Sequence, residues 1–182
     1  IGFNSLNYDL PVIVAALRGD TNAQIKQLSD DIINAPKLWP VLKKHKINIP
    51  QGFDHIDIMP IPIGQASLKI YGGRLHAPKM QELPIEPSAL ITPEQRNTLR
   101  LYCHNDLQVT AILYNELRPQ IALREQMGEQ YGLDLRSKSD AQIAESVIKH
   151  ELEAKDIDCT RPTVKIGTKY KYTTPKHITF KN

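Results

Sequence analysis

The segment Thr92-Pro93-Glu94-Gln95 constrains this chain more than any other, because it joins a hydroxyl cap, a proline in the first turn and an acidic group at the positive end of a helix dipole. It predicts a helix over 94–117. Leu99, Tyr102, Val109, Leu113 and Leu117 recur there at steps of three and four, which defines a buried stripe. Asp106 falls within that stripe. An ionised carboxylate in apolar surroundings needs a cation or strong donors. Pairing with Arg96 or Arg100, or a place on the edge of the stripe, meets that need without any function, and from this helix alone either is the simpler account.

The same punctuation marks out the rest of the chain. Ile1 to Phe3 reads as the end of a buried strand and Asn4 to Asn7 as a turn. Asp9 is expected to cap a helix that has Pro11 at its second position and stops at Gly19. Thr21 or Asn22 caps a helix over 23–34, with Ile25, Leu28, Ile32 and Ile33 on one face and Pro36 as its terminator. The stretch 36–52 is broken by prolines and stays open. A strand is expected over 55–61, a short helix over 67–75 broken by Gly72-Gly73, and a proline-rich connector over 78–93. Pro119 begins another helix that ends near Tyr131-Gly132. Ser139-Asp140-Ala141-Gln142 resembles a capping box opening a last helix towards Leu152. From Val164 to Tyr172 apolar residues alternate with lysine, which predicts a strand or ribbon with a basic face.

With 182 residues, 41% of them hydrophobic and 24% charged, the chain can bury the core of one globular domain. Its formal charge of +3 is unevenly spread: no acid follows Asp158, whereas Arg161, Lys165, Lys169, Lys171, Lys176 and Lys181 do. Cys103 and Cys159 form neither a disulfide framework nor a metal knuckle, which points to a reducing compartment. The longest apolar run, 10–17, contains Pro11 and is too short to cross a bilayer. A soluble, cytoplasmic protein is expected, in the host cytoplasm if phage-encoded. The chain opens without methionine, inside an apolar strand-like segment, and so reads as a fragment.

Two further sequences bear on chemistry. Gly2-Phe3-Asn4 followed by Tyr8-Asp9-Leu10-Pro11 puts a carboxylate at a strand-to-helix turn, and Tyr102-Cys103-His104-Asn105-Asp106 spaces a tyrosine and an aspartate by one helical turn. The first resembles the second exonuclease motif of the Asp-Glu-Asp-Asp nuclease superfamily, and the second resembles the third motif of its tyrosine subclass. Asp54-His55-Ile56-Asp57 and Ser67-Leu68-Lys69-Ile70-Tyr71 resemble the strand and short helix that link these motifs in proofreading domains. The stretch 135–142 resembles one found in large phage polymerases.

The resemblance spans 1 to about 148 and implies an α/β, RNase H-like 3′-to-5′ exonuclease fold over 1–117, lacking its N-terminal strands. A helical extension over 118–159 follows, and a basic tail over 160–182 leads to a missing polymerase portion. It implies hydrolysis by two divalent ions, Mg²⁺ or Mn²⁺, about 4 Å apart. Asp106 would ligate one ion, Asp9 would act through water or hydrogen bonds near the second, and Tyr102 would orient the attacking water. Asn4 and Tyr8 would shape the pocket for the terminal nucleotide. The superfamily's first motif, Asp-x-Glu, supplies the bridging ligand and occurs nowhere in these residues. It is expected upstream, and this chain alone is then expected to bind metal poorly. The alternative is a catalytically inactive exonuclease-like module that binds DNA.

Lesser candidates are read as structural: His104 as exposed, Asp57 as a capping residue that would share a strand face with His55, Lys69 and Arg74 as solvated surface, and Trp39 as packing. The tail interleaves its cations with Tyr170, Tyr172, His177 and Phe180. It suits single-stranded DNA, through phosphate attraction and base stacking, or equally a solvated strand.

Overall fold

Local capping chemistry places most of the helices. In the computed structural model, which describes residues 1–50, 52–64, 66–160, 163, 167–169, 171 and 173, seven helices follow one another. They are α1 (Asp9–Arg18), α2 (Asn22–Asn34), α3 (Leu38–Lys44), α4 (Leu68–Arg74), α5 (Gln95–Glu116), α6 (Arg118–Tyr131) and α7 (Asp140–Glu153). Thr21 with Gln24, and Ser139 with Gln142, form reciprocal capping boxes at the starts of α2 and α7. Gly19 and Gly132 close α1 and α6 in left-handed conformation, the geometry that glycine adopts without strain. The expected Asp9 cap is displaced by one residue: Tyr8 is the N-cap and makes no side-chain cap bond, while Asp9 supplies acid to the first turn.

The α/β, RNase H-like fold implied by the resemblance is overturned, because among the described residues there is no sheet. The two segments expected as strands meet at a single parallel bridge between Gly2 and Asp57. Gly2 N–H donates to Ile56 O at 3.0 Å and Ile58 N–H to Gly2 O at 2.9 Å. The ladder ends there for local reasons. Asn4, at φ 57°, turns the chain out of extended conformation, and Pro60 has no N–H with which to continue.

What would have been strand residues instead fill a helical core. Ile56, Ile58 and Ile61 pack with Tyr71 of α4, Leu113 of α5, Leu117 at the junction of α5 and α6, and Ile121 of α6, and Phe3 leans edge-on against Tyr71 at 6.1 Å between ring centroids. A second cluster joins Ala15, Leu28, Val41 and Ile47 from α1, α2, α3 and the turn that follows. Each such large apolar side chain contributes about 1.5–3 kcal/mol on burial. Ile33, expected on the buried face of α2, is exposed. Gly72-Gly73 does not break α4. The helix runs through both, and because a Cβ at Gly72 would lie 3.0 Å from Val109 Cγ1, the missing side chain lets α4 close on α5.

The helical extension contains α6 and α7, tied by Arg124. This buried guanidinium donates to Gln120 O, Lys138 O and Asp140 Oδ1, which gives each of its three nitrogens a partner. Among the described residues no helix is long and apolar enough to cross a membrane. The tail residues Arg161, Lys165, Tyr170, Tyr172, Lys176, His177, Phe180 and Lys181, and with them most of the expected basic ribbon, lie outside the described residues.

A candidate active-site cleft between the first turn and helix α5

The cleft is organised by a buried carboxylate. Asp57, 2% exposed, accepts from the backbone N–H of Asn4 at 2.9 Å, of Leu6 at 3.0 Å and of Met59 at 3.1 Å. Its own N–H donates to Ser137 Oγ at 2.9 Å. It therefore caps a turn, as its sequence context predicts, and fixes the loop that delivers α1. His55 points to the same loop: Ser5 Oγ and His55 Nε2 are 2.7 Å apart. Phe53 stacks on the imidazole, with centroids 5.8 Å apart and planes inclined by 21°. Gly2 must lack a Cβ here, since one would fall 2.4 Å from Ser5 Oγ.

Between this loop, α1 and α5 lies a cleft of about 390 Å³. Asp9 lines it from α1, Asp106 and Cys103 from α5, and Ser5 and His55 from the organising loop. Asp9 is largely open to solvent, yet its carboxyl group is set into the wall. Partial burial, and after it the charge of Asp57, pushes its pKa up, against the opposing pull of its own backbone N–H and of His55. Burial likewise lowers the pKa of His55, so the imidazole is held towards its neutral form.

Asp106 sits half-buried on the edge of the α5 stripe, one of the two arrangements the sequence left open. The stripe itself is rotated from expectation. Asn105, Val109 and Leu113 face inward, while Leu99 and Tyr102 are only half-buried. The Tyr102 hydroxyl is held towards its protonated form, first by burial and then by the charge and hydrogen bonding of Asp106, with Lys69 opposing. Lys69 comes from α4 and is bound at 2.5 Å by Glu82.

Not every predicted residue comes to the cleft: Tyr102 touches it only through Asp106 and does not line it. Asn4 Oδ1 accepts from Asn7 Nδ2 at 2.9 Å, and Tyr8 Oη meets Ser29 Oγ of α2 at 2.8 Å, so both side chains are engaged away from it. His104 is exposed, as expected. Ser5, His55 and Cys103 were not singled out as site residues. The available signal was the alternation that puts His55 and Asp57 on one face of an extended segment.

Asp9 and Asp106 offer hard oxygen ligands of the kind that Mg²⁺ and Mn²⁺ select. They do not complete a cage: among the described residues no three His, Cys, Asp or Glu side chains come together in a group that could hold a metal ion. No family model, curated protein or solved structure matches the chain.

Proposed function

We propose that this cleft takes part in hydrolysing phosphodiester bonds at the 3′ ends of DNA, as the proofreading exonuclease of a phage-type DNA polymerase. One observation carries the reading: Asp9 and Asp106, from opposite halves of the chain, line a single cleft, with Tyr102 one turn from Asp106. The reading rests on these side chains and not on a sheet.

A bound divalent ion would supply Lewis acidity towards the phosphate and a more acidic water. The chain's own residues do the rest. Asp9 and Asp106 present carboxylate oxygens to the cleft. Tyr102, kept protonated by burial and by Asp106, donates its hydroxyl to that carboxylate and orients a water by accepting from it. His55, fixed by Ser5 and Phe53, forms the wall of the cleft beside Asp9.

The incomplete ligand set favours a second reading, a module that binds DNA without cutting it. A primer-degradation assay with Mn²⁺, on the protein that carries this chain, separates the two. The hydrolytic reading expects Asp9→Asn and Asp106→Asn each to abolish degradation with melting temperature kept. Wild-type rates in either variant would refute it, and DNA binding without any degradation by the parent would establish the second reading.

A further inference from the structure

Two clefts lie along one face of α5. Cys103, Asp106, Leu107 and Thr110 line the cleft that contains Asp9, and the same helical face continues towards the N-terminus through Arg96, Leu99 and Arg100. Those three line a larger cleft of about 990 Å³ whose other walls are α2 and the connector residues 87–91. The two clefts therefore lie in line along α5, the first walled by α1 and the second by α2.

The larger cleft combines cationic and apolar surface. On the α2 side Asp30 is neutralised by Lys26, whose ammonium it binds at 2.5 Å, which leaves Arg96 and Arg100 as its net charge. Both arginines are exposed, and Arg100 Nη1 reaches Asn97 Oδ1 at 3.5 Å. Beside them Leu90 is 96% exposed and Ile91 is 48% exposed. Guanidinium groups next to open apolar side chains match a ligand that offers phosphates and uncovered base faces together. A duplex hides its base faces, and an acidic peptide has none.

We propose that single-stranded DNA lies along this face of α5, its 3′-terminal phosphodiester in the Asp9–Asp106 cleft, its next phosphates on Arg96 and Arg100, and its bases against Leu90 and Ile91. The proposal rests on the hydrolytic reading of the first cleft. From Arg96 to Asp106 the helix rises about 15 Å, a span that an extended single strand crosses within a few nucleotides.

Equilibrium titration of a labelled single-stranded oligonucleotide against the full chain, in EDTA and at several salt concentrations, tests it. Each lost phosphate contact flattens the slope of log affinity against log salt by about 0.7. Arg96→Gln/Arg100→Gln should therefore flatten it by about 1.4, so that the parent's advantage shrinks about sevenfold between about 50 and about 200 mM salt. Arg96→Lys/Arg100→Lys, which keeps both charges, should retain the slope. Equal slopes for the parent and the glutamine variant would overturn the proposal. So would equally tight binding of a blunt duplex, or a dimer of the parent that the glutamine variant dissolves. Asp106→Asn separates the two readings: it should bind as the parent does without degrading 3′ ends. If it still degrades them, the hydrolytic reading falls while the salt-slope result for the larger cleft stands.

Discussion

Replacing Asp57 tests whether one buried carboxylate builds the cleft. In Asp57→Ala the N–H groups of Asn4, Leu6 and Met59 lose their acceptor together. At about 1–1.5 kcal/mol for each N–H left without an acceptor in this part-buried turn, the loss comes to about 3–5 kcal/mol. With a urea slope of about 2 kcal/mol per molar, the unfolding midpoint should fall by about 2 M. Asp57→Asn should be milder, at about 1–3 kcal/mol. Its amide oxygen can still serve Asn4 and Met59, which both use Oδ1, but its NH₂ would then face the Leu6 N–H that Oδ2 now accepts. The expected order is parent, then Asn, then Ala, read by urea unfolding followed through circular dichroism. Equal instability of the two variants, or a loss below about 1 kcal/mol for Ala, would refute the account of how the turn at 4–6 is held.

Tyr102→Phe should slow 3′-end degradation by about 100-fold without abolishing it, since only the hydroxyl that orients water is lost; an unchanged rate in excess Mg²⁺ would reduce Tyr102 to packing. Gly128→Ala gains helix propensity of about 1 kcal/mol, but its Cβ would meet Leu133 O at 2.6 Å, so we expect a net loss of about 1–3 kcal/mol in thermal unfolding. Asp9 has a folded pKa raised above its ordinary 3.8, so stability from its protonated form is present below that value and is lost as pH rises through the raised one. Asp9→Asn should remove that dependence and melt no lower than the parent at neutral pH in EDTA, measured by calorimetry across the acid range.

The helices were legible because their signals are local. Thr21 with Gln24, Ser139 with Gln142, and Gly19 and Gly132 act within one turn of the backbone, so sequence alone placed α1, α2, α5, α6 and α7 to within one or two residues. The absence of a sheet was decided only in part locally, by the turn at Asn4 and the missing N–H of Pro60. Alternating isoleucines at 56, 58 and 61 are equally at home in a strand or in extended chain packed on helices, and only the partners that arrived, α4, α5 and α6, chose the second. The inward face of α5 was settled in the same way, by the close approach of α4 at Gly72, which turns Asn105 and Val109 inward and leaves Asp106 at the edge. Spacing singled out Asp9 and Asp106 one at a time. Their common cleft, the histidine beside them, and the engagement of Asn4 and Tyr8 elsewhere belong to tertiary structure, because electrostatic and hydrogen-bond partners far apart along a chain are chosen only when the chain folds back on itself.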